Sequence, residues 1–173
     1  FAGNIGRFQC LDAFVDAMKL LVQFGDIDFV FMGEGTRLSA LKQKSTGIDK
    51  ILFFPHQKAS VAQKVIADCN LGVVSLQHEI YKYAFPSKTM AYLSEGCPLL
   101  VAVESKSKLA DFVISQNIGV TAEPGSSVSI ATAIKSVYKN KKFHADLKRN
   151  ALNVSKKFFD SRNVLDQWSR QFT

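Results

Sequence analysis

The chain has 173 residues, of which 47% are hydrophobic, and its formal net charge is +7. This size and hydrophobic content are sufficient for the core of one ordinary domain, or of one large half of a bigger protein. No apolar run approaches the roughly 20 residues of a membrane-spanning helix. Because the chain begins at Phe1, in residues that already read as a strand, we expect it to be an excised domain.

The chain contains three cysteines, Cys10, Cys69 and Cys97, which are widely spaced. This odd number and spacing fit neither a disulfide framework nor a metal motif, so we expect a reducing, cytoplasmic location. The sequence also shows no Ser/His/Asp set, no suitably spaced pair of carboxylates and no DxD-like motif. We therefore expect no bound metal, and we assign no catalytic residue.

The excess positive charge lies in the last quarter of the chain. Residues 1–134 carry 12 Lys and Arg against 12 Asp and Glu, so their net charge is 12 − 12 = 0. Residues 135–173 carry 10 against 3, which gives 10 − 3 = +7. Such a basic segment suits nucleic acid, anionic lipid or an acidic protein surface, and a solvated helical face is the alternative.

Apolar periodicity predicts strands and helices that alternate along the chain. The first residues form a strand that ends in a glycine turn, followed in order by helix 11–24, strand 28–32, helix 36–44, strand 50–54, helix 60–69, strand 71–76, a helix from Ser87 to Gly96, strand 99–103, helix 107–116, strand 119–122, and helices 128–138, 142–158 and 161–172. We therefore expect residues 1–173 to form one α/β domain. Its predicted core is a Rossmann-like doubly wound parallel sheet of about six strands, with helices on both faces and the C-terminal helices packed at its end.

Four turns follow predicted strands, at residues 3–7, 33–35, 54–57 and 85–88. They fall at the carboxyl edge of the sheet, where doubly wound folds bind their ligands. Glycines in the first two turns let a ligand approach the backbone, and the Arg7 guanidinium suits a diphosphate. Glu34 either meets a base or sugar hydroxyl or caps the following helix. His56 is a candidate for a base pocket only.

The helix after the fourth turn is the most informative element. A proline precedes Ser87, so the Ser87 hydroxyl is predicted to cap the helix N-terminus. Met90, Ala91 and Leu93 are predicted to form its apolar face. Lys88 lies in the first turn, where a cation opposes the helix dipole, and this penalty predicts an anionic partner. A solvated surface lysine is the alternative, and the sequence leaves both open.

Four segments in this order, GNIGR, GEGTRLSALK, IADCNLGVVSL and PSKTMAYLSEGCPLLV, carry a family resemblance. Together they resemble the C-terminal, donor-binding domain of GT-B glycosyltransferases of glycosyltransferase group 1 (family 4), over nearly the whole chain. The resemblance implies a hexosyltransferase-type enzyme with a UDP- or GDP-sugar donor and no cofactor. The PSK segment is similar to that of bacterial enzymes of capsule, O-antigen and exopolysaccharide synthesis, so polysaccharide or glycolipid biosynthesis is the implied pathway.

The resemblance also implies roles for residues of the rim. The first turn and its basic residue face the donor phosphates, the turn after the third strand receives the base, and the PSK segment holds diphosphate and ribose. The implied donor-binding residues, with those of the second glycine turn, are Gly3, Asn4, Gly6, Arg7, Gly33, Glu34, Phe54, His56, Pro86, Ser87 and Lys88. A glycan or lipid-linked acceptor is expected to bind an N-terminal domain that this chain lacks, so the chain alone should not transfer sugar.

The chain departs from the family at two positions. Much of the family carries two glutamates eight residues apart, one facing the sugar and the other the ribose. Their positions here are Tyr83 and Ala91, and neither residue is acidic. Glu79 and Glu95 are nearby but out of register. A non-catalytic nucleotide-binding or scaffold module with the same fold is therefore the alternative function.

Two further alternatives are weaker. A nucleotide-sugar epimerase or dehydrogenase needs a GxGxxG/A turn, and GNIGR lacks the third small residue. A nucleic-acid partner is not expected, because basic and aromatic residues are not interleaved. The basic C-terminal helices instead suggest contact with the other domain, or peripheral contact with the inner face of the membrane.

Overall fold

A computed structural model describes residues 1–80 and 86–159 of the chain. The predicted last helix, 161–172, and the family glutamate position at Tyr83 lie outside the described residues.

Five parallel strands form two sheets in the described chain, one of two strands and one of three, where the sequence predicts a single sheet. They are β1 (Phe29–Met32), β2 (Ile51–Phe54), β3 (Gly72–Ser75), β4 (Leu99–Ala102) and β5 (Gly119–Ala122). Strand β1 pairs with β2, while β4 pairs with both β3 and β5. All four residues of β3 and of β4 are buried, as expected for continuous apolar runs in a parallel sheet.

Seven α-helices cover these strands within the described residues. They are α1 (Asp12–Leu20), α2 (Leu38–Lys44), α3 (Ala59–Asp68), α4 (Lys88–Ser94), α5 (Lys108–Ser115), α6 (Ser127–Tyr138) and α7 (Lys141–Phe158). Helix α1 ends four residues before the predicted end at 24, because the chain turns there and packs Phe24 edge-on against Tyr138, 5.1 Å between ring centroids. None of the helices in the described ranges is long and apolar enough to span a bilayer.

The strands separate two hydrophobic clusters. Val73 and Leu100 point into a cluster with α1 and α6, whereas their neighbours Val74 and Val101 point into a cluster with α4, α5 and α7. Alternate residues of a strand point to opposite faces. The doubly wound arrangement with helices on both faces is therefore confirmed.

The predicted N-terminal strand is much shorter than expected, so the strands number five rather than six. Only Ala2 pairs with β1, through a bridge to Met32. The Met32 N–H donates to the Phe1 carbonyl at 2.8 Å, and the Gly3 N–H donates to the Met32 carbonyl at 2.9 Å. The Ala2 N–H instead donates to the Tyr92 hydroxyl of α4 at 2.9 Å. This short segment thereby joins β1 to helix α4.

The two glycine turns cross each other directly after this bridge. The Ile5 N–H donates to the Glu34 carbonyl at 2.7 Å, and the Arg37 N–H donates to the Ile5 carbonyl at 3.0 Å. A Cβ atom on Gly33 would lie 2.1 Å from the Gly3 oxygen, and one on Gly35 would lie 2.3 Å from the Ile5 oxygen. Both glycines have positive φ, +146° and +153°. The crossing therefore requires glycine at both positions.

We predict that Gly33→Ala lowers the free energy of unfolding by about 3 kcal/mol or more, because the new methyl group collides with backbone and the residue has an unfavourable φ. Denaturant unfolding followed by circular dichroism measures this change. Gly25→Ala is the matched control, since no heavy atom lies within 4 Å of its Cβ position. Coincident unfolding curves for the two variants would contradict a close crossing of the turns.

Candidate functional site

The fold brings the glycine turns, the end of β2 and the start of α4 to one edge. The Gly33 N–H donates to the Phe54 carbonyl at 3.0 Å, which couples the second glycine turn to the end of β2. The Lys88 Nζ atom lies 3.3 Å from the position that a Cβ on Gly3 would occupy. The carboxyl ends of parallel strands thus carry a continuous rim, which we call the glycine-turn rim, built from Gly3, Gly33, Phe54 and Lys88.

Lys88 is the most unusual residue of this rim. Its ammonium group lies 3.7 Å from the centroid of the Phe1 ring, a cation–π contact. Burial lowers the pKa of Lys88 to about 8, because the charged form loses hydration. No described carboxylate forms an ion pair with it. The alternative of a solvated surface lysine is therefore wrong, and the anionic partner stays a prediction.

The start of α4 differs from the prediction at Ser87. Its backbone is already helical, with φ −57° and ψ −27°, and its side chain accepts no capping hydrogen bond. A side-chain cap normally requires an extended residue, and the backbone of Ser87 is not extended. The predicted cap is wrong, and the exposed Ser87 hydroxyl stands beside Lys88 at the rim, with Pro86 half-buried before it.

The buried face of α4 also differs from the prediction. Thr89, Tyr92 and Leu93 are buried, whereas Met90 and Ala91 are exposed. Tyr92 sets the rotation of α4 about its own axis. Its ring fills the space above Gly72, where a Cβ would lie 2.6 Å from the ring. Burial raises the pKa of the Tyr92 hydroxyl, which therefore stays protonated and anchors Ala2.

Arg7 lies at the other end of the first glycine turn. It begins a single 3-10 turn, Arg7–Gln9, and the Gln9 side chain accepts from the Gly6 N–H at 3.0 Å. The exposed Arg7 lines a cavity of about 490 Å³ whose wall also includes Asp12, Asp16 and Arg37. None of the described acidic side chains pairs with it. The structure therefore places two cations, Arg7 and Lys88, at opposite ends of the same turn.

Asn4 and Glu34 lie where the two glycine turns cross. The Asn4 amide packs over both turns: its oxygen lies 2.7 Å from the Cβ position of Gly35, and its nitrogen lies 2.9 Å from that of Gly6. The Glu34 side chain is exposed. Helix α2 begins at Leu38 without an acidic residue in its first turn, so the interpretation of Glu34 as a helix cap is wrong. Its side chain remains available to a ligand at the rim.

The turn after β2 presents exposed side chains. Phe54 is 46% exposed, and His56 is fully on the surface. The Gln57 amide donates to the Pro55 carbonyl at 3.1 Å and closes the turn. An aromatic ring and an imidazole at a strand end could stack on a planar base, but the structure shows no contact between them and Lys88.

Sequence reasoning missed several residues that shape this edge. Glu104, just after β4, accepts from the Glu79 N–H at 2.7 Å and lies 3.1 Å from Nδ1 of His78. It thereby fixes the turn after β3, in which Glu79 has a φ of +68°. The signal available in the sequence was the position of Glu104 directly after a predicted strand, at the carboxyl edge.

A second missed feature is an ion pair behind the rim. Arg37 of the second glycine turn binds Asp12 of α1 with its Nη2 atom, at 3.1 and 3.3 Å from the two carboxylate oxygens. This contact ties the crossing turns to α1, and half-exposed pairs of this type contribute little free energy. In the described ranges, no three His, Cys, Asp or Glu side chains meet as a metal site.

The sequence matches a known protein family. A sequence model described as Glycosyl transferases group 1 matches residues 1–140. Among curated proteins, the chain is 22% identical over 139 residues to the probable glycosyltransferase WbjE of Pseudomonas aeruginosa. That alignment covers 79% of this chain and 34% of WbjE.

Solved glycosyltransferase structures share the fold. Anabaena HepE, determined in complex with UDP, aligns with a TM-score of 0.74 at 19% identity, over 99% of this chain and 48% of HepE. The C-terminal domain of LpcC, a group 1 glycosyl transferase of Francisella tularensis, aligns with a TM-score of 0.75 at 18% identity, over 92% of this chain and 86% of that domain. The fold is thus that of a GT-B Rossmann-like half, and the chain spans half or less of WbjE and HepE.

The lowered pKa of Lys88 predicts a pH-dependent stability. Above pH 8 the unfolded chain keeps a proton on this lysine that the folded chain releases, so folding is favoured increasingly up to about pH 10.5. Relative to Lys88→Met, the wild type should gain roughly 2 kcal/mol of unfolding free energy between pH 7.5 and 10. Urea unfolding at several pH values measures this difference.

Lys64→Met, at an exposed lysine of α3, is the matched control and should change with pH as the wild type does. If Lys88→Met and the wild type gain or lose stability in parallel over this pH range, the Lys88 ammonium is not desolvated.

Proposed function

This chain belongs to the Glycosyl transferases group 1 family, and from that premise we propose that its glycine-turn rim binds the diphosphate of a nucleotide-sugar donor. The reaction class is transfer of a glycosyl group, of the hexosyl type, from a UDP- or GDP-sugar. Arg7 and Lys88 supply the positive charge, and the first glycine turn supplies the close approach to the backbone.

The state of Lys88 carries this proposal. A cation that is mostly desolvated and has no described carboxylate partner is destabilised, as its lowered pKa of about 8 reflects. An anion that contacts the Lys88 Nζ beside Gly3 would supply the missing counter-charge. A diphosphate provides that charge together with several acceptor oxygens, so binding and protonation of Lys88 reinforce each other.

Arg7 extends the site to a second phosphate. Its guanidinium is exposed and stands at the far end of the same turn, so two cations bracket the space above Gly3 and Gly6. In glycosyl transfer the diphosphate leaves with increased negative charge. Fixed cations that face this charge stabilise the transition state, and they do so here without a metal ion.

The remaining rim residues are proposed to hold the other parts of the donor. Phe54 and His56 form the base pocket, and the Ser87 hydroxyl contacts diphosphate or ribose. Asn4 and Glu34 offer an amide and a carboxylate to the same edge. Gly33 acts indirectly, by allowing the two turns to cross.

UDP is the first nucleotide to consider, because HepE, which shares this fold, was determined with UDP. The acceptor, a glycan or a lipid-linked sugar of capsule, O-antigen or lipopolysaccharide synthesis, is proposed to bind another domain. The chain spans only 34% of WbjE, so complete turnover needs more protein than these residues. We place the enzyme in the cytoplasm, next to the inner face of the membrane.

A second candidate function, a non-catalytic nucleotide-binding or scaffold module, has one observation in its favour. Ala91 is exposed on α4 at the position where the family carries its ribose-facing glutamate. The carboxylate that would bind the ribose hydroxyls is therefore absent. A module of this kind would bind nucleotide weakly or not at all, so nucleotide affinity separates the two functions.

We predict that the chain binds UDP or GDP in calorimetric titration, and that Lys88→Ala and Arg7→Ala each weaken binding by about 10- to 100-fold, since each removes a charge-assisted hydrogen bond. Lys64→Ala and Arg149→Ala are the matched controls, because both change exposed cations on other helices. Full affinity in both rim variants would exclude the proposed site. An absence of binding in a folded wild type would favour the scaffold.

A gain-of-function substitution tests the ribose contact. Ala91→Glu restores a carboxylate at an exposed position of α4, and it should tighten nucleotide binding by about 10-fold through hydrogen bonds to the ribose hydroxyls. 2′,3′-Dideoxy nucleotide should show no such gain. Ala145→Glu on α7 is the control for the added negative charge. Equal affinities of Ala91→Glu and wild type would show that α4 does not reach the ribose.

A further inference from the structure

Helix α7 concentrates positive charge on one side. Its 18 residues contain six Lys and Arg and one acid, Asp146, so the formal charge without histidine is 6 − 1 = +5. Its buried residues are Leu147, Ala151 and Val154. Ala151 and Val154 belong to the hydrophobic cluster that contains α4 and α5. The charge is therefore displayed on the side of α7 that faces away from the sheet.

Three of these cations form a straight row. Lys142, Arg149 and Lys156 are all exposed and are spaced seven residues apart. Seven residues make almost two turns of an α-helix, so consecutive cations are offset by only about 20° and lie about 10.5 Å apart along the axis. We call this row the basic ridge of α7. It is roughly 21 Å long and lies opposite the buried face.

The surroundings of the basic ridge leave it accessible. The residues next to it, Ala145, Leu152 and Asn153, are exposed and uncharged, and Leu152 is 41% exposed. Lys141 and Lys157, also exposed, add positive charge at the two ends. Asp146 binds Arg149 at 2.7 Å, which neutralises part of the charge in the middle of the ridge.

We propose that the basic ridge of α7 binds the surface of an anionic lipid bilayer. A planar array of headgroup phosphates can meet every cation of a straight row on a convex helix, whatever their spacing. Each cation near such a surface contributes to the attraction. Among the described helices none can span the bilayer, so this contact lies at the interface.

The ridge fits other polyanions less well. Single-stranded nucleic acid is held by aromatic side chains beside a basic groove. The basic ridge lies on a convex helix without a groove, and the one exposed aromatic residue of α7 is Phe158 at its C-terminal end, over whose ring Lys157 lies. An acidic protein surface would need carboxylates spaced roughly 10.5 Å apart to meet these cations. Lipid headgroups need no fixed spacing, because they diffuse in the plane of the bilayer. The proposal does not depend on donor binding, because the ridge shares no residue with the glycine-turn rim.

The test is sedimentation of the whole chain with vesicles. We expect binding to vesicles with 30% phosphatidylglycerol, or roughly that fraction, and none to pure phosphatidylcholine, at about 0.05 M salt. Binding should weaken strongly at about 0.5 M salt, where the Debye length falls well below the ridge spacing. The triple variant Lys142→Glu, Arg149→Glu, Lys156→Glu should reduce the partition coefficient by at least about 100-fold.

A charge-matched control separates the ridge from net charge. Lys58→Glu, Lys64→Glu, Lys106→Glu changes three exposed lysines elsewhere, and each triple variant lowers the net charge from +7 to 7 − 6 = +1. The control should keep most of the lipid binding. Equal losses in both variants, no binding of the wild type to anionic vesicles, or tighter binding to a single-stranded oligonucleotide than to vesicles would each overturn the proposal. Circular dichroism verifies that the variants fold.

Discussion

The rest of the candidate site depends on the backbone contact between the two glycine turns. Gly33 and Gly35 let the second turn pass within hydrogen-bond distance of the first, and three main-chain bonds fix the crossing at Met32, Glu34 and Ile5. A side chain at either glycine would separate the turns by more than an ångström. The crossing sets the position of Gly3, and Gly3 in turn sets the space that Lys88 and a ligand share. Both the fold and the candidate site therefore require the backbones of the two turns to pack this closely.

The fold holds Lys88 in a position where its charge has no ion-pair partner among the described residues. Tyr92 anchors α4 to the N-terminal segment, and the helix register that buries Tyr92 also carries Lys88 over the Phe1 ring. The ring compensates only part of the lost hydration, so the pKa of Lys88 falls to about 8. An anionic ligand then gains from a cation that is already in place. In the proposed function that ligand is the diphosphate of a glycosyl donor, whose negative charge increases as it leaves.

The chain carries positive charge of two physical kinds. At the glycine-turn rim, single cations are combined with close backbone approach, a geometry suited to one small anion. On α7, cations repeat along an exposed helix face, a geometry suited to an extended surface. Residues 1–134 have no net charge, so the excess positive charge of the chain lies in the C-terminal part that contains α7. For an enzyme of glycolipid or polysaccharide assembly, both kinds would act on phosphate, once in the donor and once at the membrane.

Local pattern in the sequence determined the alternation of strands and helices, the positions of β1 to β5 within a residue or two, the glycine turns and the rim on which they lie. These features follow from burial periodicity and from glycine conformational freedom, which are properties of neighbouring residues. Only the tertiary structure decided that the N-terminal strand is a single bridge at Ala2, that Ser87 does not cap α4, and that Thr89 and Tyr92 replace Met90 and Ala91 on its buried face. The desolvation of Lys88 and the contacts of Glu104 with the turn after β3 also arise from residues far apart in the chain. Such contacts depend on how elements pack, and a local pattern carries no information about the partner across the sheet.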